Sequence, residues 1–352
     1  MTGPIIRENA IPGGDVALAA GPPNAAERYR AKTPWTRLRL HPAGPVGIMF
    51  CGLLAGCILA ALLAPQHFFF LADANLKLLL RAVPNFGIIA IGVGLLLIAG
   101  EYDLSVGAVY VVTPFAMASA YSHGVPLPLA IGLALALAVV IGLANGFITL
   151  GFGIPSFITT LGMLFIVRTS APFIVGYARS VGFQPPASFK DAVVGSLGPI
   201  PAQFVWFIAL AAVAYVLLNR HFLGNHFFAV GGDANAARFT GINVFRTKLL
   251  AFGLCSVFAT IAGMFSVTRL ATAMTNPQLF IELYAIAICV IGGLALTGGR
   301  GSVIGIVLGA GVLQLVQDVI ILARLPGFYL DMFVGLMIVL GVVINQVVRR
   351  KY

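Results

Sequence analysis

From Val46 to Val347 the sequence consists mainly of apolar runs, each about as long as a helix that crosses a lipid bilayer. Such a helix needs roughly 20 apolar residues. Backbone amides find no water in the hydrocarbon core, so a spanning segment is either a helix or part of a closed barrel. The runs are continuous rather than alternating, which favours helices. Only 9% of the 352 residues are charged, against about 25% in soluble domains. We therefore expect an all-α polytopic membrane protein.

The same runs set the number of spans. One helix for each run gives about ten transmembrane helices. They are expected at residues 46–64, 83–100, 104–121, 127–149, 156–176, 203–219, 248–267, 283–297, 302–322 and 328–347. Two of the connections, EYD at 101–103 and GGRG at 298–301, are very short. Each is either a break within a helix or a true loop.

The basic residues predict the orientation. An even number of spans places both termini on one side of the membrane, and cytoplasmic segments of membrane proteins retain Lys and Arg. With the N-terminus inside, the inner segments hold about two thirds of the 21 Lys and Arg residues. Both termini are therefore predicted to be cytoplasmic. The same distribution accounts for the net charge of +10 without a nucleic-acid partner.

The N-terminal segment differs in composition from the rest of the chain. Residues 1–44 are rich in Gly, Pro, Ala and Asn, contain no apolar run typical of a signal peptide, and end in the basic stretch ERYRAKTPWTRLRLHP. We expect a mostly disordered, basic cytoplasmic tail. The transmembrane domain is expected at 45–348, with a long cytoplasmic loop at 220–247.

Several signatures of catalysis are missing from the sequence. A phosphate-binding P-loop requires a lysine after a glycine in GxxxxGK[ST], and none of the five lysines follows a glycine. The patterns GxSxG and HExxH are also absent, and the four cysteines lie in apolar runs without a CxxC pair. We expect no catalytic residue and no metal site in this chain.

The long inner loop contains the polar stretch AVGGDANAARFTGINVFRTK at 229–248. Asp233 or Asn235 can cap a short helix by accepting a backbone N–H, and Gly241 can end it in the left-handed conformation. Small or helix-favouring residues fill the middle: Ala234, Ala236 and Ala237.

This short helix is expected to begin after a bend at Gly231 and Gly232. A helix of about two turns is not stable alone in water. It must pack either on the spans of its own chain or in a groove of a partner, and the residues themselves leave both possibilities open.

Four stretches, taken in order, resemble the permease subunits of ATP-binding-cassette (ABC) sugar importers of the ribose, arabinose, xylose and inositol group. The resemblance covers most of residues 80–345. The stretches are GEYDLSVGAV, ANGFITLGFGIPSFITTLGMLFIVR, AVGGDANAARFTGINVFRTKLL and ELYAIAICVIGGLALTGGRGSVIGIVLGA. One departure is Glu101, which adds a carboxylate beside Asp103 where the family pattern has none; it is expected either to alter ligand preference or to lie at an inner rim.

The resemblance implies a permease of the bacterial inner membrane, surrounded by membrane lipid. It implies a second permease copy or a paralogue, a periplasmic substrate-binding protein, and an ABC ATPase subunit that carries the ATP and Mg²⁺, since this chain itself has no cofactor. It also implies that the short helix couples the permease to the ATPase. The residues expected in this coupling are Gly231, Gly232, Asp233, Ala236, Ala237 and Gly241.

Polar residues in or near the spans are candidates for the substrate path, because polar groups in lipid are costly and usually face protein or water. The candidates are Asp103, Ser105, Asn145, Asn85 and Gln314. Each could bind sugar hydroxyls or form hydrogen bonds between helices. Two other functions stay open: a nucleoside or branched-chain amino-acid ABC permease, and an ion-coupled secondary transporter. The latter would favour carboxylates deep in the spans, for which Asp318 is the candidate.

Overall fold

The computed structural model describes residues 43–66, 68–174, 180–275 and 280–350. These residues belong to one compact unit. The prediction of a disordered cytoplasmic tail at 1–44 lies almost wholly outside the described residues. The predicted membrane domain begins with a helix at Gly44.

Helices dominate the described part of the chain, as expected. In chain order they are α1 (Gly44–Leu63), α2 (Asp73–Ile98), α3 (Val106–Ser122), α4 (Leu127–Phe152), α5 (Ser156–Ile174), α6 (Ala187–Val194), α7 (Ala202–Arg220), α8 (Phe222–Gly232), α9 (Ala234–Phe239), α10 (Val244–Leu270), α11 (Ile281–Ile291), α12 (Val303–Leu322) and α13 (Phe328–Arg350). Four short strands accompany them: β1 (Ser180–Gly182), β2 (Ser196–Leu197), β3 (Ile200–Pro201) and β4 (Thr272–Met274). Strand β1 pairs antiparallel with β4, and β2 with β3.

Six described helices are long and apolar enough to cross a membrane: α1, α2, α4, α7, α10 and α12. The helices α3, α5, α11 and α13 contain shorter apolar segments. Each predicted span overlaps one of these helices. The chain is therefore a helical protein with the character of a polytopic membrane protein.

Two span boundaries differ clearly from the prediction. Helix α2 begins at Asp73, ten residues before the predicted span, because its first turns extend as an exposed helix that carries Lys77 and Arg81. Helix α11 ends at Ile291, six residues before the predicted end, because Gly293 adopts a positive φ of 80° that ends the helix.

The two short connections both interrupt helical structure. The first joint comprises residues 99–105, between α2 and α3, and the second joint comprises residues 292–302, between α11 and α12. The second joint is a true loop, because α11 and α12 pack side by side: a Cβ at Gly309 of α12 would lie 2.4 Å from the carbonyl oxygen of Ile288 in α11.

Helices α2 and α10 form the centre of the bundle. The most apolar window of α2 is 83% buried and that of α10 is 72% buried, whereas the window of α1 is 17% buried. Helix α4 approaches α10 closely because Gly142 has no side chain; a Cβ there would lie 2.7 Å from the carbonyl oxygen of Phe252. Small residues thus supply the close backbone contacts that hold helices together in lipid.

Candidate functional site

The predicted short helix is present as α9. The side chain of Asp233 caps it, with Oδ1 accepting hydrogen bonds from the backbone N–H of Asn235 at 2.8 Å and of Ala236 at 3.0 Å. Gly241 follows with φ of 84°, and its N–H donates to the carbonyl oxygen of Arg238. The cap at Asp233 and the left-handed end at Gly241 are confirmed.

The predicted bend at Gly231 and Gly232 is wrong. Both glycines are the last residues of helix α8, and the chain turns at Asp233, whose φ of −153° and ψ of 105° are extended. Position 231 requires glycine for a different reason: a Cβ there would lie only 1.9 Å from the carbonyl oxygen of Ile98. A tertiary contact therefore requires this glycine, and no local turn does.

Gly231 belongs to a cluster of bare backbone that we call the glycine junction: Gly100, Gly231, Gly298 and Gly299. A Cβ at Gly298 would lie 2.7 Å from the Cα of Gly100, and a Cβ at Gly231 would lie 2.7 Å from the backbone nitrogen of Gly299. The N–H of Gly299 also donates to the carbonyl oxygen of Ile98 at 2.9 Å. The end of α8 therefore touches both joints, backbone against backbone.

An ion pair ties α10 to the first joint. Lys248 Nζ lies 2.6 Å from Glu101 Oε1, and both side chains are only 12–13% exposed. Lys248 follows the α9 loop by a few residues. Glu101 therefore lies beside the loop that contains α9, at the rim of the bundle, and is paired with a side chain of the same protein.

Tyr102, the next residue, joins the two joints and α5. Its hydroxyl donates a hydrogen bond to the carbonyl oxygen of Leu296 in the second joint. Its backbone N–H donates to Ser156 Oγ at 3.1 Å. Burial raises the pKa of the Tyr102 phenol, and the nearby Glu101 carboxylate raises it further. The hydroxyl is therefore protonated at neutral pH and remains a donor.

Helix α9 has one inward and one outward face. Ala237 is 3% exposed and packs on its own chain, whereas Phe239 is 93% exposed. Ala236 and Arg238 are also exposed. A large, exposed aromatic side chain in a polar loop is typical of a protein interface. Sequence reasoning missed Phe239, although an aromatic residue in a polar loop was a usable signal.

Three of the predicted path residues lie together in a buried polar cluster formed by Asp103, Ser105 and Asn145. Asp103 Oδ1 accepts from the backbone N–H of Ser105 at 2.8 Å and from its hydroxyl at 2.6 Å. Asn145 Nδ2 donates to Ser105 Oγ at 2.7 Å and to Asp103 Oδ2 at 3.3 Å. All three side chains are at most 1% exposed. The Oδ1 atom of Asn145 is buried without a hydrogen-bond partner.

The other two predicted path residues lie elsewhere. Asn85 lies in α2 and is partly exposed, and Gln314 lies in α12 and is buried. Neither is hydrogen-bonded to the buried polar cluster. Each lies on the order of 15–20 Å along its helix from the nearer joint, at 1.5 Å per residue. Asp318, also in α12, accepts a hydrogen bond from Asn75 Nδ2 at 2.9 Å.

Comparison with known proteins settles the family. Residues 75–342 match the family model described as "Branched-chain amino acid transport system / permease component". The chain belongs to this permease family. It is a component of a transport system and not itself an enzyme. Together with its long apolar helices, this membership places the chain in the inner membrane of a bacterial cell.

Three relatives illustrate the range of the family. A probable ABC transporter permease, y4mJ of Sinorhizobium fredii, is 33% identical over 75% of this chain and 79% of its own. The ribose import permease RbsC of Escherichia coli is 30% identical over 84% and 92% of the two chains. The autoinducer 2 import permease LsrC of an Enterobacter strain is 30% identical over 73% and 74%. No solved structure matches the chain significantly. The predicted resemblance to importer permeases is confirmed.

Proposed function

We propose that this permease moves a monosaccharide or a related polyol inward as part of an ABC importer. The observation that supports this most directly is the geometry of α9. Its Asp233 cap and buried Ala237 fix the helix on the bundle, while Phe239 projects into solvent. A short, anchored helix with an exposed aromatic residue is suited to a groove on a separate subunit. The ribose and autoinducer 2 permeases among the relatives favour a sugar-like substrate.

In this proposal the ATPase subunit binds ATP and Mg²⁺ and moves α9 when it closes. A ligand shifts a conformational equilibrium only by its different affinity for the two states. ATP supplies that difference on the ATPase, and the glycine junction carries the displacement from α8 to both joints. The coupling residues are Gly231, Gly232, Asp233, Ala236, Ala237 and Gly241, and we add Phe239.

A second permease copy or a paralogue completes the path, and a periplasmic binding protein delivers the substrate to its outer mouth. Ten spans with both termini in the cytoplasm give the topology, and residues 1–44 form a cytoplasmic tail. The proposed path residues are Asp103, Ser105, Asn145, Asn85 and Gln314. The buried polar cluster then opens only in another conformation of the importer.

The test replaces Phe239 with alanine in the intact importer. Truncation of an aromatic side chain at the centre of an interface costs about 2 kcal/mol or more of binding free energy. Co-purification of the ATPase and uptake of sugar should therefore both fall by at least about tenfold. Phe152→Ala is the matched control, because Phe152 is also a strongly exposed aromatic residue, at the end of α4. Undiminished ATPase binding by the Phe239→Ala importer would disprove the docking role.

The family description also favours a second candidate, a branched-chain amino acid as substrate. A ligand screen on the partner binding protein separates the two, with ribose, arabinose, xylose, myo-inositol, a nucleoside and leucine as ligands. Uphill transport by vesicles that contain this chain alone would instead identify an ion-coupled secondary transporter.

A further inference from the structure

Two charged side chains line one small cavity beside the start of α3, and neither of them belongs to the buried polar cluster. Glu282 lies in the first turn of α11 and is 9% exposed. Its carboxylate interacts electrostatically with the Arg168 guanidinium of α5. Both side chains line a small cavity of about 10 Å³ between α3, α5 and α11. Charged groups inside membrane bundles are costly, and they commonly mark the pathway of a substrate or an ion.

Along α5 and α11, the pair lies well away from the helix ends that meet the two joints. Arg168 is twelve residues along α5 from Ser156, which binds the first joint; at 1.5 Å per residue that is about 18 Å. Glu282 is nine residues before Ile291, where α11 reaches the second joint, which is about 14 Å. The hydrocarbon core is about 30 Å thick. Substrate sites of transporters are typically near its middle, at interrupted helices.

The surroundings of Glu282 are built around its carboxylate. Gly107 leaves the necessary space, because a Cβ there would lie 2.1 Å from Glu282 Oε2. Gly107 lies in the first turn of α3, just after Ser105, whose backbone N–H donates to Asp103 Oδ1. The N-terminus of a helix carries a partial positive charge. The carboxylate therefore lies beside this N-terminus, in the cavity that Arg168 also lines.

A displacement of the second joint would move α11, and with it Glu282, relative to Arg168 on α5. It has only 11 residues, follows Phe280 with its φ of 63°, and ends at the second joint. The second joint supplies two residues of the glycine junction, so α11 is connected to the segment next to α9. In the present conformation the cavity has room for about one water molecule. The site is closed.

We propose that Glu282 and Arg168 form a site for a neutral, polyhydroxylated substrate within the membrane, closed in this conformation. The proposal rests on the sugar-importing function proposed above. The carboxylate accepts hydrogen bonds from hydroxyl groups, and the guanidinium donates to hydroxyl or ring oxygens. A neutral solute leaves the charges of the pair balanced, whereas an ionic solute adds an uncompensated charge in a site of low polarity.

The experiment uses the complete importer in proteoliposomes, with its ATPase and saturating binding protein. Labelled ribose, arabinose, xylose and myo-inositol are tested first, and the one that the native importer takes up becomes the probe. Its monodeoxy analogues are then compared in the native importer and in the Glu282→Gln variant. Any discrimination by the binding protein is the same in both, so it cancels in the comparison.

If Glu282 binds a hydroxyl of the sugar directly, removal of the carboxylate and removal of that hydroxyl should have non-additive effects on the uptake rate. Removal of the hydroxyl that Glu282 binds should slow native uptake by about tenfold or more, as expected for a hydrogen bond to a charged group. In Glu282→Gln the same analogue and its parent sugar should be taken up at rates within about twofold, both well below the native rate. Asp318→Asn is the matched control, a buried carboxylate in α12 paired with Asn75. It should keep the native discrimination between parent and analogue.

Equal slowing of the parent sugar and every analogue by Glu282→Gln would overturn the site, and so would no slowing at all. Basal ATPase activity and ATPase co-purification show whether the variant assembles. If it does not, the same comparison is made with Arg168→Lys, which keeps the charge and changes the donor geometry. A native importer that assembles with its ATPase but takes up none of the four probes would refute the sugar function, and the proposed ligand with it.

Discussion

The glycine junction and the buried polar cluster lie next to each other but are built in opposite ways. In the junction, Gly231 and Gly298 bring backbone against backbone, and no side chain takes part. In the cluster, polar side-chain atoms make the contact, with Asn145 Nδ2 donating to Asp103 Oδ2. The stability of the junction should therefore fall when side-chain volume is added. The stability of the cluster should fall when a polar side chain is replaced by an apolar one of the same volume.

The largest effect is expected from one added methyl group, Gly231→Ala. Its Cβ would lie 1.9 Å from the carbonyl oxygen of Ile98, and backbone cannot rotate away as a side chain can. Overpacking of this kind costs about 1–3 kcal/mol, and we expect the upper end with loss of uptake. Thermal unfolding of the purified chain measures the stability. For Gly232→Ala, where a Cβ meets nothing within 4 Å, stability should not fall. Equal melting temperatures of the two variants would contradict the junction.

A smaller effect is expected from Asn145→Leu, which conserves volume but removes the donor to Ser105 and Asp103. A buried polar group left without its partner costs about 1–3 kcal/mol. We expect about 2 kcal/mol, seen as a lower melting temperature. Asn145→Asp, which has the same shape without the amide donor, should also destabilise. If the leucine variant were as stable as the native chain, the hydrogen bonds of the cluster would not stabilise the fold.

The smallest effect is expected at the ion pair between Glu101 and Lys248, because these side chains, although only 12–13% exposed, lie at the rim of the bundle, where the charge left by a substitution can turn to water. Pairs near a surface contribute about 0–1 kcal/mol. Glu101→Gln should lower the stability by about this amount and reduce its dependence on salt. The exchanged pair Glu101→Lys with Lys248→Glu should restore part of the loss. Urea unfolding at low and high salt measures both effects, and an exchanged pair less stable than either single variant would argue against a direct charge interaction.

Much of the fold could be predicted from local sequence. Each span predicted from an apolar run overlaps a helix of the structure. This succeeded because a membrane requires long helices of low polarity. Asp233 and Gly241 were assigned correctly, since capping depends on residues three or four positions apart. The residues 231–232 were assigned wrongly, because a glycine needed for a turn and a glycine needed for a close contact are identical in sequence.

The candidate site was only partly predictable for the same reason. Asp103 and Ser105 are neighbours in sequence, but Asn145 joins them from a helix forty residues away. Glu282 was overlooked because it stands just before the predicted start of a span, and its depth becomes visible only through the contact with Gly107.

The sequence by itself determined that this chain is a helical membrane permease with a capped polar helix in a long loop. Hydropathy and capping depend on residues close together in the chain, so they can be read from it. The tertiary structure decided which glycines touch, that Phe239 is exposed, and that Arg168 and Glu282 line one cavity. Those facts depend on the packing of helices that are distant in sequence, and packing is set by the shapes of all the helices together.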